Sequence, residues 1–174
     1  MAAASALIRR ALPADARRIA EVHVLSWQAA YRGLLPADFL ASLSIERREE
    51  QWRQSLADPA AGLLVCEREG GLVGFASFGS CRDADSRPGI TGEIHAIYLL
   101  EPCWGIGLGK ALLDATLAEL RAGGYEEAVL WVLRENRRAI DFYRRQGFAF
   151  DGSGRTLSTR AGVRMSAVRY RRWI

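Results

Sequence analysis

The spacing of apolar positions changes several times along the chain, and each change marks an element. "ALIRR" is a short apolar stretch that predicts a first strand. Pro13 and Asp15 then open a helical pattern in which Ile19, Val22, His23, Ser26, Trp27 and Ala30 fall on one face. A second helix is predicted from Pro36, with Phe39, Leu40, Leu43, Trp52 and Leu56 as its apolar side. "GLLVCERE" and "GLVGFASFG" predict two strands joined at Gly70-Gly71, a hairpin signal. "SCRDADSRPG" reads as a polar loop, and "EIHAIYLL" as a strand with so few charges that it belongs in the middle of a sheet. After a glycine-rich stretch, Leu112, Leu113, Thr116, Leu117 and Leu120 predict a helix that stops at Gly123-Gly124. "EEAVLWVL" predicts a strand. Asn136 caps a helix carrying Ala139, Ile140 and Tyr143, which Gly147 stops. "FAF" and "VRMSAVRYRRW" predict two last strands.

Three consecutive strands precede the glycine stretch, which excludes a doubly wound sheet of alternating strands and helices. The prediction is an α+β fold. It has a mixed, mostly antiparallel sheet of about seven strands, four helices and one parallel crossover next to the glycine loop. The 174 residues, without a repeat or a linker, read as a single domain, 1–174.

Composition narrows the class. At 49% hydrophobic and 25% charged the chain is globular, and no apolar run reaches the ~18 residues of a membrane span. In "MAAASALIRR" the arginines follow the apolar residues, the wrong order for a secretory leader, so the expected location is cytoplasmic, with no membrane partner. Cys66, Cys81 and Cys103 form no CxxC and are odd in number, so neither a disulfide framework nor a metal site is expected. The net charge of +4 fits a polyanionic cofactor, an acidic substrate or nucleic acid. "VRYRRWI" mixes arginines with aromatics, but Arg164, Arg169, Arg171 and Arg172 are too few for a dedicated groove. They are read as the solvated face of a final strand, and no nucleic-acid partner is expected.

The chemistry concentrates in "CWGIGLGKALL". Gly105, Gly107 and Gly109 alternate, followed by Lys110, the chain's only lysine. Bare backbone opening a helix is suited to phosphate. A P-loop would need glycine at Trp104 and a hydroxyl at Ala111, and a dinucleotide fingerprint would need glycine at Lys110, so both fail.

The surroundings carry a resemblance. "EIHAIYLLEPCWGIGLGKALL", followed by "LWVLRENRRAIDFYRRQGF", resembles the GCN5-related N-acetyltransferase (GNAT) family, as does "SWQAAYRGLLP" near the start. The family's pyrophosphate loop, roughly [QR]-x-x-G-x-[GA], is matched by Trp104, Gly107 and Gly109, with Gly105, Ile106 and Leu108 at the intervening and adjacent positions. A second motif, asparagine followed seven residues on by tyrosine and then G-F, is met by Asn136, Tyr143, Gly147 and Phe148. The chain departs from the pattern at Trp104, which replaces a polar residue, and at Pro102, one place later than is common.

The resemblance implies an N-acetyltransferase that moves an acetyl group from acetyl-CoA to a primary amine of a small molecule or peptide by direct attack. Gly105, Ile106, Gly107, Leu108, Gly109 and Lys110 would wrap the pyrophosphate. Ile97, Tyr98 and Leu99 would offer strand backbone to pantetheine, with a main-chain N–H near Ile97 facing the acetyl carbonyl, and Asn136 would reach the cofactor from the other side. Tyr143 takes the family's general-acid position. For the base, Glu93 and His95 alternate with Ile97 on one strand, so all three share a face. Trp131 stands where other members carry a glutamate. His23 reads as an ordinary helix-face histidine. Trp27 and Tyr31, with the Asp83/Asp85 loop, are candidates for the acceptor site, the aromatics favouring an apolar substrate and the carboxylates an incoming cation. A catalytically silent acyl-CoA-binding module and a nucleic-acid-binding domain stand as alternatives. A homodimer is compatible with the sequence.

Overall fold

The computed structural model describes residues 6–159 and 161–174. The first five positions of the alanine-rich start lie outside the described residues. The chain runs β1 (Leu7–Arg10), α1 (Ala16–Ala30), α2 (Ala37–Ala41), α3 (Ile45–Leu56), β2 (Gly62–Arg68), β3 (Gly71–Ser80) and β4 (Thr91–Leu99). It continues with α4 (Leu108–Ala122), β5 (Glu127–Leu133), α5 (Arg137–Arg145), β6 (Ala149–Ser158) and β7 (Arg164–Trp173). All seven strands join one sheet in the order β1-β2-β3-β4-β5-β7-β6, so β4 is central, as its lack of charge predicts. Among the described strands only the β4–β5 pair is parallel, with α4 as the crossover. The α+β expectation is met.

Helices cover both faces. Beneath α4, Leu112, Leu113, Leu117 and Leu120 are fully buried against Leu64, Phe78, Ile94 and Leu130, each such leucine stabilising by about 2 kcal/mol. On the other face Ile19 and Val22 of α1 pack on Leu63, Val65 and Phe75.

Three local expectations are corrected. The described residues form five α-helices, not four, because the segment after Pro36 breaks at Ser42–Ser44 into α2 and α3. The break is chemical: the Ser44 hydroxyl accepts from the Arg47 N–H and starts a new helix. The β2–β3 turn is made by Glu69 (φ 53°) and Gly70 (φ 78°), both left-handed, so it sits one residue earlier than Gly70-Gly71. The last strand is not a solvated arginine face. Arg169 is buried, its guanidinium bonded to Asp83, Asp85 and Asp151, and Arg171 pairs with Glu127 and Asp151.

Candidate active site

Pairing between β4 and β5 ends early. Thr91–Ile94 lie beside Glu127–Leu130, and beyond that point the strands diverge. The divergence opens a cleft of about 580 Å³ between their C-terminal halves. Backbone groups of β4 that a parallel neighbour would have used face this cleft without a strand to bond them. Ile97, Tyr98 and Leu99 line it from one side, Trp131 and Val132 from the other, and Asn136 and Tyr143 from above.

The glycine stretch lies at the mouth of the same cleft. Gly105 (φ 73°) and Gly107 (φ 92°) are left-handed, and a Cβ on either would meet no atom within 4 Å. Their backbone is bare toward open space. Gly107 precedes the first residue of α4 and no side chain caps it, so the Leu108, Gly109 and Lys110 N–H groups have no intrahelical acceptor. That end carries the positive pole of a 15-residue helix. Gly105, Gly107, Gly109 and Lys110 line the cleft. Ile106 is exposed, and Leu108 packs its side chain toward the core beneath α4. Lys110 Nζ bonds Asp114 at 2.5 Å. Trp104, at the departure from the family pattern, donates its Nε1–H to the Leu99 carbonyl at 2.8 Å, and Ser26 Oγ donates to the same oxygen at 3.0 Å. The Arg138 guanidinium covers the Trp104 ring at 3.3 Å. Arg138 sits two places after Asn136, in the motif that drew attention to Asn136 and Tyr143. Its reach across to the loop has no sequence signature.

Asn136 caps α5 through its side-chain oxygen, which accepts from the Ala139 N–H at 3.2 Å, and its residue borders the cleft. Tyr143, two residues before the end of α5, packs edge-on against Phe142 and Phe148. Among the described residues no protein group hydrogen-bonds its hydroxyl. Burial pushes its pKa well above the usual phenol value, so it stays protonated as a donor.

The two base candidates are separated by a bulge. The β3–β4 register steps from Ser77↔Ala96 to Phe78↔Ile94, leaving His95 as the extra residue. Ile94 and Leu99 are buried under α4 and Ile97 packs with them, whereas Ala96 and Tyr98 pack toward α1. Glu93, beside Ile94, therefore faces away from Ile97, and the shared face expected of a regular strand is not realised. His95 lines the cleft and Glu93 does not. Glu93 is 2% exposed and accepts from the Arg82 backbone N–H and guanidinium. His95 Nε2 lies 3.3 Å from the Ser80 carbonyl and 3.8 Å from Glu93 Oε2. Burial and, next, Arg82 hold His95 below the usual imidazole value, against a smaller pull from Glu93, so it is neutral at pH 7.

On the α1 face, Tyr31 lines the cleft and its hydroxyl is 3.0 Å from that of Tyr98. Trp27 sits behind, edge-on to Tyr31 with centroids 5.0 Å apart. His23 is buried, stacks on Tyr98 and accepts from Trp52 Nε1, which agrees with its reading as a helix-face histidine. The Asp83/Asp85 loop lies at the Trp131 edge of the cleft. Trp131 Nε1 donates to Asp83 at 2.9 Å, and Arg155 covers the Trp131 ring at 4.0 Å. Arg169 and Arg155 already neutralise these carboxylates, so the charge expected to draw a cation is spent. Among the described residues no group of three or more His, Cys, Asp or Glu gathers as a metal site, and no helix is long and apolar enough to cross a membrane.

These features agree with known proteins. The acetyltransferase (GNAT) family profile matches residues 24–148. An uncharacterized N-acetyltransferase, YuaI, of Bacillus subtilis (strain 168) is 36% identical over 162 residues, covering 92% of this chain and 89% of the relative. Among solved structures, the PaiA N-acetyltransferase of Thermoplasma acidophilum in complex with coenzyme A superposes with a TM-score of 0.74 at 20% identity, covering 98% of this chain and 99% of that one. A ribosomal-protein-alanine N-acetyltransferase from Brucella melitensis gives 0.74 at 25%, covering 97% and 99%. The chain belongs to the GNAT family of acetyltransferases.

Proposed function

We propose that this acyltransferase moves an acetyl group from acetyl-CoA to a primary amine of a small molecule or peptide, by direct attack of the amine. The observation that carries this reading is the opening of three features onto one cleft: the uncapped start of α4, the unpaired half of β4 and the free Tyr143 hydroxyl. The residues present fit the cofactor. The Gly107–Lys110 amides would hold a pyrophosphate, with the helix pole behind them. The splayed Ile97–Leu99 backbone would pair with the pantetheine amides as an added strand does.

When bound, acetyl-CoA supplies an activated thioester. The chain's own residues then manage two protons and one developing charge. Backbone N–H groups of the splayed half of β4 would face the developing negative charge, in a cleft walled by Leu99, Val132 and Phe142. His95, neutral and in the cleft, would take the proton of an alkylammonium, whose own pKa is near ~10. Its Nε2 is turned to Ser80 and Glu93, which leaves Nδ1 as the accepting nitrogen. Glu93 positions that ring and does not touch substrate. Tyr143 would donate to the departing sulfur.

The test is a panel of primary amines with acetyl-CoA, read as free thiol release. Turnover of an amine above the hydrolysis background supports transfer. Tight CoA binding with no turnover across the panel overturns it in favour of a silent binding module.

A further inference from the structure

Helix α5 separates two cavities. Arg138, Phe142 and Tyr143 turn to the cleft, whereas Arg137, Asp141 and Arg144, spaced along one helical face, turn to a second cavity of about 320 Å³. Phe150 of β6 and Tyr170 of β7 also line it, with Arg134 from the turn between β5 and α5. The second cavity shares no lining residue with the cleft.

Its charge is unmatched. Among the described residues the Arg137 and Arg144 guanidiniums form no hydrogen bond or ion pair, and Arg134 has only a 3.4 Å contact with the Ser166 hydroxyl. Asp141, the one carboxylate lining the cavity, pairs with none of them. The neighbouring arginines behave otherwise: Arg155, Arg169 and Arg171 all hold carboxylates. Three like charges around one cavity repel, and an anion between them removes that cost.

Tyr170 adds a donor. It is 3% exposed, with the Arg144 guanidinium 6.0 Å from its ring centroid. Among the described residues its hydroxyl has no hydrogen-bond partner, which a buried tyrosine ordinarily finds. Nor is that hydroxyl sealed in the core, because Trp27 Nε1 is the only fully buried polar side-chain atom without a partner among the described residues. The cavity that Tyr170 lines is the open space beside it. Phe150, 49% exposed, lies against the Tyr170 ring at 6.0 Å and presents a large apolar face at the rim.

We propose that this cavity is a ligand site separate from the cleft, and that its ligand is a nucleoside phosphate. The phosphate lies among Arg134, Arg137 and Arg144, whose planar forks match its oxygens, and the Tyr170 hydroxyl is a further donor. The free Asp141 carboxylate accepts sugar hydroxyls, and Phe150 offers its ring to a base. An acceptor and an aromatic ring beside the arginines favour a nucleotide over a bare anion. Coenzyme A carries the same chemistry at its nucleotide end, so the experiment separates the two sources.

The test is calorimetry of ADP into protein already holding one equivalent of CoA. One ADP should bind per chain beside CoA, with adenosine and inorganic phosphate each weaker by about tenfold or more. Arg137→Gln combined with Arg144→Gln alters two exposed side chains, so circular dichroism should be unchanged. The double variant should weaken ADP by about 10- to 100-fold and leave CoA affinity as it was. Tyr170→Phe keeps the ring and should weaken ADP several-fold. No ADP bound beside CoA, or ADP that displaces CoA one for one, overturns the site. So does ADP binding untouched by the double variant. A double variant that loses CoA affinity assigns the arginines to the cofactor's own nucleotide end and overturns a separate site. Inorganic phosphate bound as tightly as ADP overturns the nucleotide.

Discussion

His95 Nε2 lies 3.8 Å from the Oε2 of Glu93, a carboxylate sealed beneath the cleft. The pair assigns unequal roles to residues that look equivalent in the sequence. With His95 as base, His95→Gln should cut kcat/KM by roughly 10²–10⁴. The wild-type rate should rise with pH through a value below the usual imidazole 6.5, because the acting form is the neutral one and burial favours it. Glu93→Gln should cost less, about tenfold, and move the acid limb to still lower pH, since Glu93 is what pulls the His95 value up. A pH–rate series on the two variants checks this. An enzyme killed by Glu93→Gln and spared by His95→Gln would make Glu93 the base.

The α4 entrance can be probed at Gly107. Its φ of 92° strains any other residue, so Gly107→Ala should lose about 1–2 kcal/mol of stability. Gly107→Glu pays the same strain and adds a carboxylate where the pyrophosphate would lie. Calorimetry should show CoA affinity down by a further 10- to 100-fold relative to Gly107→Ala, with circular dichroism unchanged between the two. Equal affinities would remove the phosphate role from this loop.

Tyr143→Phe keeps the edge-on contacts with Phe142 and Phe148 and deletes only a hydroxyl that no group among the described residues bonds. Stability should therefore hold. A thiol has a pKa near ~8.5, and help to the leaving group is worth ~10²–10⁴. The expected result is a kcat lower by about two orders of magnitude with acetyl-CoA affinity unchanged. Wild-type turnover would reduce Tyr143 to a packing residue.

The fold was legible because its signals are local: helical and strand periods, Asn136 as a cap, and glycines at turns. The glycine loop was legible for the same reason. What escaped depends on contacts across the chain or on a single inserted residue. A bulge at His95 changes no residue type, yet it puts Glu93 on the wrong face for its assumed role. Phe39, Leu40 and Leu43 continue into Trp52 and Leu56 at helical spacing, which hides the break that Ser44 makes. Arg169 looked solvated because Asp83 and Asp85 stand 86 and 84 residues away in the chain.

Arg169 offers a stability test of that buried network. Its side chain is 4% exposed, and it neutralises Asp83 and Asp151, which are 10% and 12% exposed. Arg169→Ala leaves those acids uncompensated and should destabilise by about 3–5 kcal/mol in urea unfolding. It also frees the Asp83 side that holds Trp131, so the cleft wall should loosen. Removing the acids as well, in Arg169→Leu with Asp83→Asn and Asp151→Asn, should recover a large part of the loss. A single-variant cost under about 1 kcal/mol would place the network at the level of an exposed ion pair.

His23 gives the fold its own pH dependence. Burial, with Arg48 adding to it, pushes His23 down to about 3, against 6.5 in the unfolded chain. The unfolded state therefore binds the extra proton at every pH between those values, and stability rises with pH across that window. Read downward, the contribution is intact above pH 6.5 and falls by about 1.4 kcal/mol per pH unit below it. Between pH 6.5 and pH 5 the loss from His23 is about 2 kcal/mol, before carboxylate titration begins to dominate. His95, also held low, adds to the same slope. His23→Gln removes the titration and can still accept from Trp52 Nε1, whose bond to His23 is 3.2 Å. Urea melts at pH 5.0 and 6.5 should show the wild-type difference shrinking by about 2 kcal/mol in the variant, with a lower absolute stability at pH 7 from imperfect packing against Trp27, Phe75 and Tyr98. An undiminished pH difference in His23→Gln would mean that His23 is protonated without cost in the folded protein, and that Arg48 faces a cation.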